Sequence, residues 1–215
     1  MSPPSATAPR RSPSAVRSGR RPRRRTATRR RHLVALVGTL VVALSVVLAM
    51  PLLRRAVNDL TLPLHYQDVI RQQAAEKHLD PALIAAVIYA ESKFDPRTSS
   101  AGALGLMQIL PQTAQFLAHR SGATSFTTAD LATPSVNIAY GSYYLRYLLN
   151  EYRGSTVLAL AAYNGGEANV SDWLAREHGR FTVSDIPFPE TRAYVVRVMQ
   201  FRLRYRHTYG AALEG

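Results

Sequence analysis

The chain has 215 residues, with 27 Lys and Arg against 14 Asp and Glu, a net charge of +13 and no cysteine. The cysteine count excludes a disulfide framework and thiolate chemistry, and the six histidines show no metal-ligand spacing. The charge would point to nucleic acid or a membrane, but it is confined: residues 1–32 carry eleven arginines and no acid, the first acidic residue is Asp59, and the chain beyond His32 is close to neutral.

Residues 1–32 are rich in Ser, Pro, Ala, Thr and Arg. Such a segment buries too little apolar surface to offset its chain entropy, so it reads as a disordered tail. It has no aromatic side chains to stack on bases, which argues against nucleic acid. Residues 33–53 follow as an uncharged apolar run, long enough for a single transmembrane helix. Arg29, Arg30 and Arg31 before it outnumber Arg54 and Arg55 after it, placing the tail in the cytoplasm and the rest outside. The competing reading is a cleaved export signal, with Arg29-Arg30 a faint twin-arginine pattern. Both readings put the remainder beyond the plasma membrane.

Residues 54–64 read as a linker, and residues 65–215 as one domain. The periodicity predicts a helix over Val69–Lys77. A second opens at Asp80-Pro81, runs through Leu83, Ile84, Val87 and Ile88 to Glu91, and stops at Pro96. Further helices are expected from Pro111, over Asn137–Tyr152, Thr156–Tyr163 and Val170–Glu177, and from Phe188-Pro189 onward. Alternating strand patterns are nearly absent, apart from a small irregular or β element near Ser99–Leu106. The fold class is mainly α.

Three segments carry candidate chemistry. Glu91 lies three, four and seven residues after Ile88, Val87 and Ile84, on the apolar face near the helix end. A carboxyl so placed is costly to ionise, and its pKa should rise toward what a general acid needs; the plain alternative is a terminal Glu turned to water. Gly102-Ala103-Leu104-Gly105 permits close backbone approach, and Met107 and Gln108 would add an apolar wall and an amide; the alternative is an ordinary turn. Ala162-Tyr163-Asn164-Gly165-Gly166 reads alone as a helix C-terminus.

Together these segments resemble a known family. Glu91-Ser92-x-Phe94-x-Pro96 with Gly102-Ala-x-Gly105-Leu106-Met107-Gln108-Ile109-x-Pro111-x-Thr113-Ala114 is similar to the first signature of the soluble lytic transglycosylases. Asn137-Ile138-x-x-Gly141-x-x-Tyr144-Leu145, Ala162-Tyr163-Asn164-x-Gly166 and Glu190-Thr191-x-x-Tyr194-Val195 resemble the later ones, in the same order. The stretch from Pro96 to Gly102 looks one residue shorter than in many members, leaving Ser99 and Ser100 both open as the substrate-contacting serine.

The resemblance implies a lysozyme-like domain that cleaves the MurNAc-GlcNAc bond of peptidoglycan without water and leaves 1,6-anhydro-MurNAc. Glu91 would act as the single acid and base. Ser99 or Ser100, Gly105, Met107, Gln108, Tyr163, Asn164 and Tyr194 would contact glycan, with Glu190 as a support residue. No cofactor or metal is implied. The expected partners are peptidoglycan strands and, through residues 33–53, the membrane. Asp95 reads as a turn residue, and Asp130, Glu151, Glu167 and Asp172 as surface, so no second catalytic carboxylate is expected. The alternatives are a hydrolytic muramidase on the same fold and a non-catalytic glycan-binding module.

Overall fold

Asp80 and Pro81 start the helix around which the domain is built. In the computed structural model, which describes residues 32, 36–50, 62–176 and 181–214, Asp80 Oδ1 accepts the Ala82 N–H at 3.0 Å, and Pro81 fills the first helical position. This is α3 (Pro81–Ser92), preceded by α2 (Gln67–Lys77). Then come β1 (Arg97–Thr98), β2 (Leu104–Gly105), α4 (Pro111–Ser121), α5 (Pro134–Glu151), α6 (Thr156–Gly165), α7 (Glu167–Arg176) and α8 (Pro189–Glu214). The domain is mainly helical, as expected. Two 3-10 turns, Thr128–Ala132 and Val183–Asp185, are set by capping boxes of Thr127 with Asp130 and Thr182 with Asp185. Asp130, expected as plain surface, is thus a structural cap.

The sequence pattern gives α3 one apolar face. The structure buries it all round: Ala82 to Tyr89 are each 2% exposed or less. A helix apolar on every side belongs in the middle of a core. The 26-residue α8 packs along it, with Tyr89 edge-on to Phe201 at 4.7 Å. Asp80 also ties the two helices together, pairing with Arg202 at 2.5 Å and Arg206 at 3.2 Å. Helix α2 covers another side, with α5 packed on α2 and α6 packed on α5 and α8.

Helix α3 ends at Ser92, one residue past the expected Glu91 and before Pro96 is reached. Lys93 and Phe94 both take left-handed backbone, φ 54° and 64°, a conformation that costs about 1–2 kcal/mol per non-glycine residue. Burial of the Phe94 ring, 6% exposed and edge-on to His65 at 5.9 Å, offsets that cost. The turn leaves Glu91 in the last turn of the central helix.

β1 and β2 form an antiparallel hairpin with Arg97 opposite Gly105 and Thr98 opposite Leu104, where a small β element is expected. Leu62–Leu64, expected as linker, belong to the folded domain. Leu62 is 4% exposed, and its carbonyl and that of Pro63 accept the hydroxyls of Tyr209 at 2.6 Å and Tyr205 at 2.7 Å.

The chain divides into two units at Ala56/Val57. In the first, residues 36–50 form the exposed helix α1, about 22 Å long at 1.5 Å per residue. Among the described residues no helix is long and apolar enough to cross a membrane. The rest of the expected span, residues 33–35 and 51–53, lies outside the described residues, as do the tail over 1–31 and linker residues 54–61.

Candidate active site

Glu91 sits half-buried where α3, α6 and α8 converge. Its carboxyl pKa is raised to about 7, chiefly by burial; the Tyr194 hydroxyl and the positive charges of Arg197 and Arg97 pull the other way. Burial wins because a carboxylate loses more hydration there than these exposed cations return. Arg97 also reaches back, its Nη2 donating to the Glu91 carbonyl at 3.2 Å, a cation at the negative end of the α3 dipole.

Two tyrosines flank the carboxyl. Tyr163, in the last turn of α6, donates its hydroxyl proton to the Met107 carbonyl at 2.8 Å. Tyr194, on α8, is 2% exposed, and its hydroxyl is sealed from solvent without a hydrogen bond of regular geometry. Both phenols are held well above their ordinary pKa, first by burial and then by the charge on Glu91. Glu91 and Tyr194 thus bias each other's ionisation.

The loop from β2 to α4 is held by one residue the motifs do not single out as functional. Asn137, fully buried, donates to the carbonyls of Leu104 at 2.8 Å and Leu131 at 3.1 Å and accepts the Met107 N–H at 2.8 Å. Its polar side chain interrupts the apolar face of α5 that Gly141, Leu145 and Leu148 continue, which is the signal that marks it in the sequence. Gly105, at φ 76°, leaves room for that amide: a Cβ there would lie 2.2 Å from Asn137 Nδ2.

The expected contact residues fall in different places. Met107 is fully enclosed under α5, so its side chain lies beneath the cleft and does not wall it; the part it gives the site is its carbonyl. Gln108 commits its amide donors to the carbonyls of Arg97 at 2.8 Å and Gly105 at 2.7 Å, leaving only its oxygen for a ligand. Ser99 Oγ accepts the Ala103 N–H at 3.0 Å and is half-buried, whereas Ser100 is exposed. Asn164 and Glu190 meet across an open hollow of about 420 Å³ completed by Gly165, Phe188, Pro189 and Thr191. Its lining holds none of Glu91, Tyr163 and Tyr194, although Asn164 follows Tyr163 and Thr191 lies one turn before Tyr194 along the chain.

Glu167, expected as surface, is half-buried and accepts the hydroxyls of Tyr147 at 3.0 Å and Tyr144 at 3.5 Å. Among the described residues, no group of three or more His, Asp or Glu side chains could hold a metal ion.

A carboxyl held near neutrality at a helix end, flanked by two tyrosines, defines a helical domain with a candidate acid site. The profile of the Transglycosylase SLT domain matches residues 68–182, and the chain belongs to that family. It is 33% identical over 154 residues to the soluble lytic murein transglycosylase of Escherichia coli K12, covering 69% of this chain and 24% of that protein. It is 40% identical over 114 residues to the transglycosylase of Enterobacteria phage PRD1, covering 53% of this chain and 39% of that one. Among solved structures, the 70 kDa soluble lytic transglycosylase of E. coli superimposes with a TM-score of 0.66 at 31% identity, over 71% of this chain and 26% of that one, and a 70 kDa soluble lytic transglycosylase in complex with bulgecin A with a TM-score of 0.66 at 32% identity, over 69% and 25%. An inactive glutamate-to-glutamine mutant of Slt from Pseudomonas aeruginosa superimposes with a TM-score of 0.65 at 33% identity, over 70% of this chain and 25% of that one. The chain spans about a quarter of the length of the bacterial relatives it matches.

Proposed function

We propose that the chain is a lytic murein transglycosylase in which Glu91 is the sole acid and base. The observation that carries this reading is the Glu91 carboxyl, raised to about 7 by burial and so available in both protonation states near neutral pH. The names of its relatives, and the inactivity of the Pseudomonas mutant, support it.

In this mechanism the protonated Glu91 gives its proton to the oxygen between MurNAc C1 and GlcNAc C4, and the C1–O bond breaks. The carboxylate then takes the proton of the muramoyl C6 hydroxyl as that oxygen closes on C1, giving the 1,6-anhydro ring. Glu91 ends protonated, and no water is consumed. Tyr163 commits its proton to Met107, so it offers oxygen lone pairs that suit the acid form of Glu91. Tyr194, with an uncommitted hydroxyl, suits the carboxylate form as a donor. Asn164, Glu190, Ser99 and the Gln108 oxygen are the glycan contacts this arrangement leaves free.

Residues 33–53 anchor the chain in the plasma membrane, with the tail cytoplasmic and the domain facing the wall. The test is mass spectrometry of peptidoglycan digested by the full chain in mild detergent, beside Glu91→Gln. Anhydro-muropeptides from the wild type alone support the reading. Reducing-end products, one water heavier, identify a hydrolase, and no products from either protein point to a binding module.

A further inference from the structure

Glu167 has no part in the chemistry above, yet it is the only acid among the described residues to which two tyrosine hydroxyls bond. It stands at the start of α7, directly after Gly166, whose φ of 87° turns the chain out of α6. Its Oε2 accepts Tyr147 at 3.0 Å and its Oε1 accepts Tyr144 at 3.5 Å. Both rings come from α5, three residues apart, and lie nearly parallel at 13°, with centroids 6.2 Å apart. The Tyr144 ring packs on Tyr163 at 5.2 Å. On the outer side, Phe116 meets Tyr147 edge-on at 5.4 Å, and the Arg120 guanidinium lies 5.0 Å from that ring's centre.

We infer that Glu167 is a positioning residue for Tyr163, acting through the rings of Tyr144 and Tyr147. A ring is free to slide against its neighbours unless something fixes its polar end, because ring contacts favour a broad range of offset geometries. The 3.0 Å bond to the carboxylate fixes the polar end of Tyr147, and the other carboxylate oxygen, 3.5 Å from the Tyr144 hydroxyl, limits where the Tyr144 ring can lie against it. Tyr144 then presents a fixed wall to Tyr163. The second constraint on Tyr163 is its bond to Met107, so ring and hydroxyl are set from two sides. A phenol oxygen that must meet Glu91 needs this, since small displacements at a reacting centre lower the rate of the chemical step.

This inference rests on the proposed reaction, and its test separates the two. The full chain in detergent is assayed as wild type, Glu167→Ala, Glu167→Gln, Tyr163→Phe and the Glu167→Ala/Tyr163→Phe double variant. Glu167→Ala is expected to lower kcat about tenfold with KM changed less than twofold, and Glu167→Gln, which keeps an acceptor and the side-chain shape, to recover most of it. In the Tyr163→Phe background the same change should lower kcat less than twofold, because the two positions act in series. An equal tenfold loss in both backgrounds, or no loss in either, overturns the inference. A wild type that releases no anhydro-muropeptides overturns the reaction instead. The inference is then judged on [13Cζ]tyrosine spectra, with the Tyr163 resonance assigned by its absence from Tyr163→Phe. Glu167→Ala should shift that resonance and Glu167→Gln should not, at temperatures where circular dichroism shows both folded; an unmoved resonance in Glu167→Ala overturns it.

Discussion

The hydroxyl of Tyr163 donates to the carbonyl of Met107 at 2.8 Å, so toward Glu91 it can offer only its oxygen lone pairs. A hydrogen-bond acceptor beside a carboxyl favours the protonated acid over the anion. The bond therefore does two things: it holds the loop between β2 and α4 against the end of α6, and it settles which form of Glu91 the tyrosine supports.

Tyr163→Phe removes both effects. We expect kcat on peptidoglycan to fall about tenfold or more, and the basic limb of the pH–rate profile to move to lower pH as the acid form loses its acceptor. A Phe variant with an unmoved profile would show that the hydroxyl serves only the loop.

Glu91 makes stability depend on pH. Its folded pKa, about 7, lies above the ordinary glutamate value of about 4.3. The unfolded chain therefore sheds this proton first as pH rises, and wild-type stability declines between about pH 4.5 and 7.5. Glu91→Gln carries no such penalty. We expect equal melting temperatures at pH 4 and a more stable variant above pH 7.5, by up to about 3 kcal/mol. Equal stability at both pH values would mean the carboxyl is better hydrated than its burial implies. Wild-type activity should fall about tenfold per pH unit above pH 7, where the acid form is lost.

Asn137→Ala should be among the most damaging changes outside Glu91. It strips partners from the Leu104 and Leu131 carbonyls and from the Met107 N–H. Each orphaned buried group costs about 1–3 kcal/mol, so a loss of about 3 kcal/mol or more in urea unfolding is expected, with activity lost alongside it. Survival of full activity would show that water replaces the amide.

Gly141→Ala tests the support from the other side. A Cβ there would sit 2.3 Å from Met107 Sδ and 2.7 Å from its Cβ. Overpacking of this kind costs about 1–3 kcal/mol, and the displaced Met107 carries the carbonyl that Tyr163 needs. A lower kcat is expected at temperatures where the variant is fully folded.

Much of the fold, and the place of Glu91 at a buried helix end, is legible in the amino-acid sequence. Asp80-Pro81 fixes the start of α3 because both residues act locally, and Glu91 follows from counting along that helix. The features that are not legible depend on contacts distant in sequence. Periodicity sees one apolar face on α3, whereas α8, more than a hundred residues later, buries the others. Glu167 looks like surface because the tyrosines that claim it lie about twenty residues earlier on α5. Met107 looks like a cleft wall until Gly141 is seen to admit it beneath α5. Gln108 looks like a ligand contact until the hairpin carbonyls of Arg97 and Gly105 take its donors.

The two hydroxyls that hold Leu62 and Pro63 also decide where a mechanical load enters the domain. Tension on the chain preceding Leu62 is borne first by Tyr205 and Tyr209, eleven and fifteen residues beyond Tyr194 on α8, or about 16–22 Å along the helix. A pull from that side loads the distal half of α8 first and passes, through the Tyr205 ring set against Tyr89 at 6.2 Å and Phe94 at 6.4 Å, to the end of α3 that carries Glu91.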